Sequence, residues 1–183
     1  SLFMSLSVFI VFVAGIIGSD LSPVKSLSTL PVATIVVGAA VSVIPVIKLM
    51  SIFGRKKVFL SACLYTILLI SLCIFSITKE MFFLFSFSSF CLGASVSTMM
   101  QFRFAAIESV EPEKRPSATA VVLLGGLVSA FLGTEVATLG KHYFETDFVG
   151  SFVLLAFLFV IAFILMTFFQ PAVKFKEQVD ESK

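Results

Sequence analysis

Six stretches without a single charged side chain divide this sequence, and they leave few folds open to it. They run over residues 1–19, 26–47, 58–78, 81–102, 116–134 and 148–173, and are 19, 22, 21, 22, 19 and 26 residues long. A helix needs about 20 apolar residues to cross a hydrocarbon core of ~30 Å. All thirteen Lys and Arg and all eleven Asp and Glu fall outside these stretches. Only 13% of the chain is charged, against about 25% in a soluble domain, so a water-soluble globule is excluded. Lipid gives backbone amides no partner outside the helix itself. The expected fold is therefore an all-α membrane protein with six transmembrane helices, over about 2–19, 26–47, 58–78, 81–102, 116–139 and 148–170, in one domain spanning 1–173.

Orientation follows from where the cations lie. Connectors 48–57 and 103–115 and the segment 174–183 carry ten Lys and Arg, whereas 20–25, 79–80 and 135–147 carry three. Positive residues stay on the cytoplasmic side, which places both chain ends in the cytoplasm. That statistic accounts for the Gly54-Arg-Lys-Lys57 cluster, so no nucleic-acid partner is read into it. The chain opens at Ser1 directly into an apolar run; without a basic lead this differs from a cleaved signal peptide, and the natural start is expected to lie upstream.

Enzymatic chemistry finds no footing. The cysteines Cys63, Cys73 and Cys91 all lie within apolar spans and form no CxxC pair, and the one histidine, His142, sits in an outer connector. No metal and no cofactor is expected. An intramembrane serine protease needs a serine and a base inside helices, and Ser95 in Gly93-Ala-Ser95 has no such companion in the sequence. Pro31 and Pro45 lie near the two ends of the second span, where each removes a backbone donor and favours a bend. Three helices out, a two-residue turn at Lys79 and Glu80, and three helices back are compatible with an inverted pair of three-helix units.

Two connectors carry a recognisable pattern: Lys48-Leu-Met-Ser-Ile-Phe-Gly54-Arg55-Lys56-Lys57 after the second helix, and Glu108-Ser-Val-Glu-Pro112-Glu-Lys-Arg115 after the fourth. The chain resembles the amino-terminal six-helix half of a major facilitator superfamily transporter of bacterial permease type. In that family a G-x-x-x-D-R-x-G-R-R/K loop follows helix two and an E-x-x-P-x-x-R type loop follows helix four. Ile47, Ser51 and Ile52 depart from the first of these, where the family has glycine, aspartate and a basic residue. The resemblance implies a half bundle of two inverted three-helix units in the bacterial inner membrane. It also implies secondary active or facilitated transport of a small solute by alternating access, and a carboxy-terminal six-helix half as partner, in the same polypeptide or a second chain. The segment 174–183 then reads as the start of a cytoplasmic linker, with the natural chain expected to continue.

The same resemblance implies a cytoplasmic charge latch. Arg55, Lys56, Lys57, Arg103 and Arg115 supply cations, and Glu108, with Glu111 and Glu113 nearby, supplies anions, Glu108 being the first acceptor. A pair exposed in one state and buried in the other changes energy between them, as a gate requires. Exposed pairs are worth only ~0 to 1 kcal/mol, and ordinary solvated anchors are the competing reading.

For the solute, the fourth helix offers a face of small and polar residues: Gly93, Ala94, Ser97, Thr98 and Gln101 recur at the spacing of three and four that aligns one helix side. Gly93, Ser97, Thr98 and Gln101 are candidate path residues; close helix packing explains the same pattern. Neutrality of this face favours a neutral or amphiphilic solute, with the lipid bilayer as the surrounding partner. Glu135, 20 residues past Arg115, is about 30 Å along its helix, at the far interface, and is retained as a possible coupling carboxylate. A six-helix scaffold or accessory subunit without transport is the alternative function.

Overall fold

The computed structural model describes residues 2–108, 113, 115–141 and 146–168, with side-chain surroundings for all of these except 2–5, 102, 103 and 105–108. Among the described residues the chain is helical: α1 (Leu2–Leu21), α2 (Leu30–Phe53), α3 (Arg55–Thr78), α4 (Phe82–Glu108), α5 (Arg115–Leu139) and α6 (Val149–Phe168), with a 3-10 turn at Lys25–Leu27. Five of these, α2 to α6, are long and apolar enough to cross a membrane. Successive helices alternate in direction. The bundle thus has one end marked by the α2–α3 turn at Gly54 and another marked by the α3–α4 turn at Glu80.

Charges do not stop these helices. α2 runs through Lys48 to Phe53, and α3 begins at Arg55, so Gly54 alone joins them. Its φ of +82° is a backbone conformation that side-chain-bearing residues rarely adopt. Pro31 lies in the first turn of α2, where no donor is missed, whereas Pro45 is inside the helix and exposed. α3 ends in a reciprocal cap: Met81 N–H donates to Ser76 O (2.8 Å) and Glu80 N–H to Ile77 O (3.1 Å). Glu80 takes the left-handed position at φ 54° that glycine usually fills in such caps.

Packing is interleaved between the two three-helix units. α2 lies mainly against α4, α1 against α5, and α3 against α6. Exchanging α1 with α4, α2 with α5 and α3 with α6 returns the same three pairs, as an inverted repeat demands. Symmetry fails at α3–α4, which pack closely through their tight turn, while α1 and α6 touch less.

The α2–α4 crossing is a backbone contact. A Cβ on Gly38 would strike the Phe90 carbonyl oxygen and come within 2.9 Å of its carbon; one on Gly93 would lie 2.5 Å from Ile35 O and 2.7 Å from Gly38 C. Small residues let membrane helices approach this closely. Phe9, Phe85 and Phe152, from α1, α4 and α6, fill the centre edge to face, with ring centroids 5.2 Å (Phe9–Phe152) and 6.4 Å (Phe85–Phe152) apart.

The distribution of polar groups is that of a membrane bundle. Among the described residues ten Ser and Thr side chains are buried, Thr66, Ser95 and Ser151 among them, while Ile44, Leu68, Leu127 and Phe157 are each more than 60% exposed. Hydroxyls bind across helices: Thr66 and Ser95 bond each other (2.8 Å), Ser151 donates to Ala137 O (2.7 Å), Tyr65 to Cys91 O (3.2 Å) and Thr34 to Ser86 O (3.1 Å). In hydrocarbon the apolar surface is the solvated one, so large apolar side chains outside incur no cost, and unpaired hydroxyls there would.

Candidate functional site

At the Gly54 end the fold gathers Lys48, Arg55, Lys56 and Lys57 from the α2–α3 turn, Arg115 at the start of α5, and Glu113 before it. Arg55, Lys57, Glu113 and Arg115 are exposed, and Lys56 is half-buried. Arg103 and Glu108 lie in the last turns of α4, which ends at this same end of the bundle; their side chains are outside the described residues, as are Glu111, Tyr143, His142 and the whole of 174–183. Three cations at the first turn of α3 face the positive end of that helix's dipole, each unfavourable by about 0.3 to 1 kcal/mol when exposed. Lys56 finds relief outside its own helix: its Nζ donates to Thr167 O of α6 at 3.1 Å. Spacing in the sequence holds no hint of this contact, although three cations at the wrong end of one helix call for a nearby negative group.

The small face of α4 is closed at one level and buried at the next. Gly93 lies against the α2 backbone, so in this conformation its missing side chain makes room for a helix. One turn on, Ser97 is 2% exposed and its Oγ has no hydrogen-bond partner among the described residues. An unmet buried hydroxyl costs about 1 to 3 kcal/mol. Thr98, equally buried, donates to Ala94 O (2.8 Å) in its own helix, and Gln101 is half-buried. Among the described residues, Ser97 Oγ is thus the buried polar atom of this face that the fold leaves without a hydrogen bond.

Glu135 is half-buried near the Glu80 end of α5, far from the cationic end. At that end Lys141 Nζ stands 5.3 Å from the centroid of the buried Phe148 ring, and Phe148 N–H donates to Lys141 O (3.1 Å), closing the α5–α6 connector. The free cysteines Cys63 and Cys73 are buried and Cys91 is partly so. Among the described residues, no group of three or more His, Cys, Asp and Glu converges as a metal would require.

Long apolar helices, hydroxyls turned inward and charges confined to the ends define an integral membrane bundle. The chain belongs to the Major Facilitator Superfamily, whose family pattern it matches over residues 1–183. Among curated proteins it is similar to the riboflavin transporter RfnT of Brucella anthropi, with 27% identity over 154 residues, covering 84% of this chain and 39% of that protein. The chain thus spans about two fifths of the length of this relative. No solved structure matches it.

Proposed function

We propose that this chain is the six-helix half of a secondary active or facilitated transporter, which moves a small neutral or amphiphilic solute across the bacterial inner membrane by alternating access, both chain ends being cytoplasmic. The observation that carries this reading is the superfamily match along the whole chain. Riboflavin is the first solute to test, given the relative's name: it is an uncharged planar ring system with a polyol chain, and the α4 face offers hydroxyls and an amide without a charge. Ser97, Thr98 and Gln101 line the path in this reading, and Gly93 seals it against α2. Glu135 serves at the far mouth as a coupling carboxylate.

The second body is a carboxy-terminal six-helix half, in the same polypeptide or a second chain. Of the five long spans, α2 and α5 are the least buried, and their outer faces suit such a partner. Native protein in detergent is expected to be stabilised against heat by riboflavin and to carry it into liposomes. Full stability gain from chemically unrelated solutes, with none from riboflavin, would reject the flavin assignment.

The latch is a proposal of the same kind, with Arg55, Lys56, Lys57, Arg103 and Arg115 as cations at the cytoplasmic face and Glu108 as acceptor. Glu108→Gln is expected to lower transport by no more than about five-fold, the reach of an exposed pair, and to raise labelling of a cysteine in the cytoplasmic half of the path. Unchanged labelling together with full transport would remove Glu108 from the gate.

A further inference from the structure

We propose that Lys56 is a positioning residue that fastens the end of α6 to the α2–α3 turn, making a rigid corner of three helices at the Gly54 end. The superfamily resemblance groups Lys56 with the latch cations, and in this structure its Nζ donates to a backbone carbonyl.

Thr167 lies in the last described turn of α6, and the residue four positions on, Pro171, has no N–H to donate to its carbonyl. Its own hydroxyl donates back to Ile164 O (2.6 Å). An ammonium group at a helix carboxy-terminus meets both an orphan acceptor and the negative end of the dipole. The donor comes from the second residue of α3, where the dipole of its own helix disfavours it. One contact therefore offsets an unfavourable charge in α3 and an unsatisfied carbonyl in α6.

Burial separates Lys56 from its neighbours. Arg55 and Lys57 are exposed and Lys56 is half-buried; α3 packs against α6, and Phe59 (4% exposed) on α3 and Phe159, Ala162 and Met166 (5% or less) on α6 are buried. A Lys stem can lie along apolar surface while its head reaches a polar group. α2 joins this corner through Gly54 alone, whose N–H donates to Met50 O (3.1 Å) and whose carbonyl accepts from Val58 N–H (3.3 Å). The turn that the proposed gate uses and the last described turn of α6 are then held together by the contact of Lys56 with Thr167, which involves no carboxylate.

The effect on turnover rests on the transport reading, but the fastening itself does not. In native protein, Lys56→Met should speed hydrogen exchange at the amides of residues 164–168 by about five-fold, the scale of a charge at a helix end, while Lys56→Arg should keep them protected. With transport measured in parallel, Lys56→Met should lower kcat at unchanged KM, and Lys56→Arg should restore it. Unchanged exchange in Lys56→Met, or equal loss of protection in Lys56→Arg, overturns the fastening. Altered exchange with kcat unaffected overturns the positioning role. Should wild-type protein carry no solute, the transport reading fails and the exchange measurement still decides the contact.

Discussion

Replacing Gly93 or Gly38 by valine is expected to abolish recovery of folded protein. At each site even the first added carbon would overlap α2 or α4 backbone, with 2.5 Å to Ile35 O at Gly93 and 2.9 Å to the Phe90 carbonyl carbon at Gly38. Backbone cannot swing aside as a side chain can, so the two helices would have to separate along their crossing. Overpacking a core by a few methylenes costs about 1 to 3 kcal/mol when neighbours yield. Here they do not, and the loss would consume much of the 5 to 15 kcal/mol that holds a typical domain together. Gly15→Ala is the internal control: its Cβ would meet only Val32 Cγ2 at 4.0 Å, and a helical alanine gains about 0.5 to 1 kcal/mol over glycine. Size-exclusion profiles of the native protein in detergent give the readout. A Gly93→Val profile matching the wild type would disprove the backbone contact.

The second large effect concerns Ser97, whose two consequences should oppose each other. Its buried Oγ lacks a partner among the described residues, so Ser97→Ala removes an unpaired polar group and should raise the unfolding midpoint without solute by about 2 to 4 °C, the shift for ~1 kcal/mol in a chain of this size. If the hydroxyl serves the solute, the same change should weaken riboflavin affinity by about ten-fold, the loss of one good hydrogen bond. Stability up and affinity down is the signature of a polar group kept for a ligand. A lowered midpoint with unchanged affinity would return Ser97 to helix packing.

Much of the architecture is legible in the sequence because lipid imposes one rule on every residue of a span. Absence of charge over about 20 residues locates α1 to α6 to within a few positions at most ends. Where the boundaries differ, water is the cause. α2 and α4 run on to Phe53 and Glu108, past Lys48 and Arg103, because helices continue into solvent where their charges are welcome. The reverse holds at residues 26–29, where the apolar span has already begun but a 3-10 turn precedes α2. Glu80 in a glycine-like conformation left no local trace, since Met81 and Ser76 set it from outside.

The sites were less readable. Periodicity aligns Gly93, Ser97 and Gln101 on one helix side, but it does not say that α2 covers Gly93 or that Ser97 is sealed without a partner among the described residues. Both facts depend on which helix crosses α4, and that is a matter of topology. Likewise Lys56 and Thr167 are 111 residues apart, and no spacing rule connects a cation to a carbonyl at that distance.

The interleaving of α2 with α4 and α1 with α5 bears on how such a chain is made. A ribosome delivers helices in order, and domains generally fold as they emerge. The first three helices cannot complete their own packing, because the close partner of α2 is made after α3 and that of α1 later still. Until α4 arrives, Gly38 presents bare backbone to lipid; until α5 arrives, α1 lacks its main neighbour. Insertion must therefore run ahead of assembly, and the nascent helices have to wait in the bilayer, singly or in the care of the insertion machinery, before the knot of contacts can close in one late step.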